Sequence, residues 1–185
     1  MVRDPQSTPF PYEERAADVA AAQRAVEWAF RAVTRRNDRE HPATVAWLAA
    51  VERLRAAIDA AYPPGFWADY DRLRDRNPAG LESAIDFLEA DPWFFRSGYI
   101  KARLIRLINR LSLTAEQVDR LRSVVLNIVD RRDGQEFRAY CRLARHVDGA
   151  DLRHHLRDRL AHADSGVRRR AGWVLDALGT AVLSE

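Results

Sequence analysis

His154, Asp158 and His162 fall at i, i+4 and i+8 of a helical stretch, aligning an imidazole, a carboxylate and a second imidazole along one face. These are ligand types that hold zinc, but one straight helix does not close a metal centre, because the remaining ligands must come from elsewhere. By helical-wheel angle the face points away from Leu152, Leu156 and Leu160, so it reads as solvated, and no metal or other cofactor is expected. Cys141 lies between Tyr140 and Ala144 on an apolar stripe and reads as a small buried hydrophobe, not a nucleophile. Asp69, Asp71, Asp75, Glu82, Asp86 and Glu89 offer carboxylates in quantity but in no positional motif, and read as a charged surface. A Walker loop, Gly-x-Gly-x-x-Gly, His-Glu-x-x-His, Gly-x-Ser-x-Gly and paired Cys-x-x-Cys do not occur, so no catalytic residue is assigned.

Cations carry the stronger signal. Arg103, Arg106 and Arg110 recur at helical spacing beside an apolar stripe of Ile100, Leu104, Leu107, Ile108 and Leu111. Arg138, Arg142 and Arg145 do the same beside Phe137, Tyr140, Cys141 and Ala144, and Arg168, Arg169 and Arg170 open a third such stretch. Two readings stay open: a solvated arginine face in an arginine-biased proteome, or a basic surface for an acidic protein or a nucleic acid. On the second reading the contact set is Arg103, Arg106, Arg110, Arg138, Arg142, Arg145, Arg168 and Arg169. Two aromatic clusters, Phe66-Trp67 with Tyr70 and Trp93-Phe94-Phe95, read as mutual packing or as a partly exposed patch for a side chain or a base.

The elements that must position these groups are helices throughout. Periodicity of three and four predicts helices near 12–36, 43–62, 66–76, 79–90, 96–111, 114–131, 135–147, 150–163 and 166–178, and no alternating strand pattern persists. Residues 1–11 hold three prolines and no periodicity, which predicts an extended lead-in. The first two helices, joined by Asn37 to Pro42, form an antiparallel hairpin over 12–62, and Pro63-Pro64-Gly65 breaks the chain before the rest. Thr114-Ala-Glu-Gln117 fits a capping box, and Asp148-Gly149 and Asp164-Ser-Gly166 mark turns with an acidic group near a helix start.

One segment returns three times: Asp91-Pro-Trp-Phe-Phe95-Arg96, Asp133-Gly-Gln-Glu-Phe137-Arg138 and Asp164-Ser-Gly-Val167-Arg168, spaced 42 and 30 residues apart from Phe95 to Phe137 to Val167. Periods of that size indicate stacked helix pairs, each needing its neighbour to bury an apolar face. The stretch from Leu152 to Gly179 resembles a HEAT-type repeat, in which an Asp-containing turn precedes a helix opening with an apolar residue and arginine. Looser copies extend the resemblance over about 78–180. The expected fold is therefore all-α: an N-terminal helical hairpin packed on a short right-handed superhelix of about three HEAT-like pairs over 63–185.

The resemblance implies a protein-binding scaffold whose second helices line a concave surface, with fewer members that bind nucleic acid or modify other proteins. A non-catalytic adaptor or regulatory module gripping an acidic partner is the first expectation. A nucleic-acid binder is the alternative, since the alkylpurine DNA glycosylases are built from similar repeats with a basic concave face. No position here matches their catalytic aspartate. Charge layout agrees with a basic working half: residues 1–62 are neutral, 63–92 carry −4 and 93–185 carry +7. Of 30 basic residues 29 are arginine and only Lys101 is lysine, which reads as the codon bias of a GC-rich bacterial genome. One cysteine, no apolar signal core and no stretch near the ~20 apolar residues that span a bilayer make a cytoplasmic, non-membrane protein the expectation.

Overall fold

A computed structural model describes residues 10–34 and 36–179, and among them every regular element is helical. The chain runs through α1 (Tyr12–Arg31), α2 (Pro42–Ala60), α3 (Phe66–Arg74), a 3-10 turn (Pro78–Gly80), α4 (Leu81–Ala90), α5 (Ser97–Ile108), α6 (Ala115–Arg131), α7 (Phe137–His146), α8 (Ala150–Arg159) and α9 (Ser165–Leu178). The expected lead-in over 1–11 lies almost wholly outside the described residues. Several helices end earlier than periodicity alone predicts. After Arg159, for example, the amides of Leu160, Ala161 and His162 turn to carbonyls three residues back, which tightens the last turn and closes the helix. His162 is thus not part of α8, and the three-residue face expected with His154 and Asp158 does not extend to it.

Two compact units divide the chain, residues 1–65 with 92–95, and residues 66–91 with 96–185. In the first, α1 and α2 pack along each other. His41 caps α2 by accepting the Ala43 amide at Nδ1, and Pro42 occupies the first helical position, where a missing N–H costs nothing. Val19, Ala29, Thr44 and Ala50 are buried, but the stripe thins toward the end of α1: Phe30 is edge-exposed, with Trp47 at 5.6 Å and the Arg36 guanidinium 4.5 Å above its ring. Phe94 meets Tyr62 edge to face at 5.4 Å.

The second unit holds the basic residues of interest. Here α4 packs on α5, α6 on α7 and α8 on α9, while α4 also meets α6, α6 meets α8, α5 meets α7 and α7 meets α9. Each helix therefore supplies buried groups to a neighbour in its pair and to a counterpart in the next. α6 buries Leu121, Val124, Val125, Ile128 and Val129, and α7 buries Phe137, Tyr140, Leu143 and Ala144. Fully burying each such aliphatic side chain is worth about 1.5–3 kcal/mol. Starts are fixed locally: Thr114 Oγ1 accepts the Gln117 amide while Gln117 returns to the Thr114 amide, and Asp164 accepts from Gly166 and Val167.

Carboxylates that seem only a charged surface in sequence have a defined task on this side. Arg120 of α6 lies among Glu82, Asp86 and Glu89 of α4 at 2.6–2.7 Å, and these ion pairs raise its already high pKa further, the hydrogen bond to Glu89 contributing most. Its side chain is 17% exposed, so the clamp is shielded on the arginine side and partly solvated on the other. Arg120→Ala is expected to leave three carboxylates facing one another and to cost about 2 kcal/mol, lowering the thermal midpoint by about 4–8 °C. Arg55→Ala, which breaks the exposed Glu52 pair in α2, serves as the calorimetric control, with an expected change under about 0.5 kcal/mol.

Candidate functional site: the basic face of α5 and α7

With Lys101, Leu104, Ile105 and Ile108 turned inward, α5 leaves Tyr99, Arg103 and Arg106 exposed at intervals of four and three, and Arg110 continues the stripe just past the helix end. α7 buries Phe137, Tyr140 and Leu143, which places Arg138, Arg142 and Arg145 outside. Where the two helices run side by side they bound a groove of about 220 Å³. Arg106 stands on the α5 wall, Arg138 and Arg142 on the α7 wall, and Ala102, Ile105, Asn109, Gln135, Glu136 and Ala139 complete the lining.

The structure thus brings together Arg106, Arg138 and Arg142, while Arg103 and Arg110 are exposed on α5 outside the groove lining. Among the described residues none of these five forms an ion pair within 4.0 Å. The other members of the expected contact set have internal bonds. Arg145 donates Nε to the Ala177 carbonyl at 2.5 Å, near the end of α9. Arg168 reaches back to the His162 and Ala163 carbonyls, and Arg169 pairs with Asp133 at 2.9 Å and lies 5.1 Å above Trp173. Arg170, expected on the same basic face, is instead buried and donates Nε to the Val129 carbonyl at 2.7 Å. Its aliphatic stem fills space between α6 and α9 while the guanidinium satisfies carbonyls at the end of α6, so it is structural.

Behind the groove lies a buried charge cluster. Asp91, which closes α4 in the left-handed region at φ 45°, receives Lys101 Nζ at 2.5 Å and an Arg132 nitrogen at 2.6 Å on the same oxygen. Arg131 stands 4.0 Å from the other oxygen. Lys101 is fully buried, and its pKa is lowered: desolvation outweighs the attraction of Asp91, and Arg132 adds repulsion. Glu136, at the start of α7, adds a second negative charge near Lys101 and Tyr140, and its buried Oε1 accepts no hydrogen bond among the described residues. The carboxylate lies so close to Gly98 and Gly134 that a Cβ at either would collide with it. Burial drives the Tyr140 hydroxyl well above its ordinary pKa, and that hydroxyl has no hydrogen-bond partner among the described residues.

The remaining candidates separate cleanly. His154 Nε2 is 3.6 Å from Asp158 on an exposed stretch of α8, and His162 Nδ1 is turned back to accept the Asp164 amide. Cys141 is half-buried, and burial pushes its thiol up, away from nucleophilic character. Phe66 is buried against Phe87 at 5.1 Å, whereas Trp67 is partly exposed and packs on Tyr70. Trp93 and Phe95 are exposed in the other unit. No described helix is long and apolar enough to cross a membrane. The chain matches no protein-family model, no curated protein sequence and no solved structure.

The cluster went unread in sequence because its members come from four segments, although one signal was visible. In a chain with 29 arginines the sole lysine occupies a fully buried slot beside Asp91. A compact ammonium fits there and a planar guanidinium does not, so Lys101→Arg is expected to cost at least ~2 kcal/mol in denaturant unfolding despite conserving charge. Tyr140→Phe is expected to stabilise by about 1 kcal/mol, since it removes an unpartnered buried hydroxyl.

The alkaline limb checks the sign. Tyr140 and Tyr62, the latter raised to about 12 by burial and then by Asp59, keep their protons in the fold after the unfolded chain loses them near ~10. Their contribution to stability is present below ~10 and disappears as pH rises through the folded values. Spectrophotometric titration of tyrosinate should show a late phase that shrinks in Tyr140→Phe.

Proposed function

We propose that this chain is a non-catalytic interaction module: a HEAT-like, right-handed stack of three helix pairs, α4–α5, α6–α7 and α8–α9, that grips an acidic protein along its second-helix row. The observation that carries the reading is a division of labour among the arginines. Arg120, Arg122, Arg153 and Arg159 of α6 and α8 are held by carboxylates or carbonyls of the fold, whereas Arg103, Arg106, Arg110, Arg138 and Arg142 on and just past α5 and α7 are exposed and, among the described residues, have no carboxylate within 4.0 Å. Guanidinium groups presented in this way attract acidic surfaces, and their planar forks pair carboxylates bidentately. The paired helices and their repeated Asp-turn support the solenoid part of the proposal.

Nucleic acid is the competing partner for the same charge. Trp173, a natural stacking platform on that row, has Arg169 over one face and Phe137 against it at 5.7 Å, which favours a protein partner over stacked bases.

Charge reversal decides between them. Arg106→Glu with Arg138→Glu and Arg142→Glu is expected to leave the thermal midpoint nearly unchanged, because exposed charges contribute under ~1 kcal/mol each to folding. The same protein should no longer recover the partner captured by the wild type from a native-host lysate, since attraction along the contact becomes repulsion. His154→Ala with Asp158→Ala is the control and should retain capture. Capture that survives arginine reversal would overturn the proposal. Tight binding of duplex or single-stranded DNA that falls steeply with salt would transfer the face to nucleic acid.

A further inference from the structure

The groove between α5 and α7 turns donors outward and keeps its acceptors to the fold. Arg106 borders it from one wall, Arg138 and Arg142 from the other, and among the described residues none of the three has a carboxylate within 4.0 Å. Arg138 and Arg142, at i and i+4 of α7, are neighbours of like charge. Gln135 adds a neutral donor: its Oε1 already accepts the Tyr99 hydroxyl at 3.3 Å, which leaves the amide hydrogens for another acceptor. Glu136 is the only acid of the lining, but it is 5% exposed and both its oxygens crowd the place that a Cβ on Gly134 would take. Asn109 likewise buries its Oδ1.

The complement of such a surface is an anion, and geometry selects which. A carboxylate is planar, carries one charge and pairs best with a single guanidinium fork. A phosphate monoester carries about −1.5 to −2 at neutral pH and points three acceptor oxygens in different directions, so guanidinium groups on facing walls can bond to it together. A phosphodiester of nucleic acid brings only one charge per phosphate, and compensates three cations less well. Size points the same way. At about 220 Å³ the groove is smaller than the ~300–1,000 Å³ of a pocket for a free small ligand, and suits one side-chain group of a larger partner.

We infer that this groove takes the phosphate of a phosphorylated serine or threonine in an acidic segment of the partner, held by Arg106 from α5 and by Arg138 and Arg142 from α7, with Gln135 donating from the rim. Clusters of arginine recognise phosphorylated segments through such charge-assisted forks. The inference rests on the acidic-partner reading above and names the group that reading leaves unspecified.

Acidic peptides of one sequence, alike except at a central phosphoserine, glutamate, glutamate pair or serine, test it by fluorescence anisotropy against the full-length protein. The phosphoserine peptide is expected to bind at least ~10-fold tighter than the single-glutamate peptide, and tighter than the glutamate pair that matches its charge. The serine peptide should be weakest. Arg106→Glu with Arg142→Glu should remove the phosphoserine preference, whereas Arg103→Glu, outside the groove lining, should keep it. Thermal midpoints are measured alongside, and if the double reversal lowers its own, Arg106→Gln with Arg142→Gln takes its place. Equal or tighter binding of either glutamate peptide by the wild type overturns the inference, as does binding of none of the peptides, and both leave the acidic-partner reading to the capture experiment. A phosphoserine preference that survives replacement of Arg106 and Arg142 overturns it as well. Tighter binding of single-stranded DNA than of the phosphoserine peptide overturns it and assigns the groove to nucleic acid.

Discussion

A buried carboxylate at the end of α4 sets the condition that much of the second unit is arranged to meet. Asp91 is in the left-handed backbone region, which a residue with a Cβ adopts at a cost, and its side chain is nearly withdrawn from water. An ionised group in that position is tolerated only if cations and donors come to it. They come from different elements: Lys101 from the middle of α5 and Arg132 from the residue that closes α6. Meeting this one requirement joins the ends of α4 and α6 to α5, and so couples the first helix pair of this unit to the next. Glu136 and Tyr140 extend the cluster into α7. Apolar burial supplies most of the free energy that holds these helices together, but it is non-directional. The cluster is directional, and it fixes which turn of α5 faces which end of α6.

The same cluster ties structure to the surface in front of it. Glu136 both influences the buried Lys101 and borders the α5–α7 groove, so the groove lining and the buried charges share a residue. Gly98 and Gly134 are needed here for lack of a side chain, because the carboxylate occupies the space where a Cβ would stand.

Arginine does two unlike jobs in this chain. Arg120 and Arg170 are fasteners: one gathers three carboxylates of α4 onto α6, and the other satisfies carbonyls at the end of α6 from α9. Arg106, Arg138 and Arg142 line a groove. The two classes share residue type and helical spacing. What separates them is whether a carboxylate or a helix end lies within reach of the guanidinium, and that depends on which helix packs opposite.

Local physics was legible in the sequence wherever a signal is carried by neighbours along the chain. The helices, the capping box at Thr114, the turn at Asp164 and the outward direction of Arg103, Arg106, Arg138 and Arg142 all follow from a 3.6-residue period and short-range hydrogen bonding. Helix ends were less legible, because the switch to tighter bonding after Arg159 leaves no mark in hydrophobic periodicity. Arg170 could not be told from Arg168 and Arg169, since the carbonyls that bind it are some forty positions earlier in the chain. Likewise the lone lysine is conspicuous in composition, but its meaning required Asp91, Arg132 and Glu136 to converge from three other segments. Sequence by itself determined the helices and their exposed cationic stripes, because those depend on residues one or two turns apart. Tertiary structure alone decided which charges are fasteners, which are left exposed, and where the buried charges converge, because desolvation and pairing depend on what the fold brings together from distant parts of the chain.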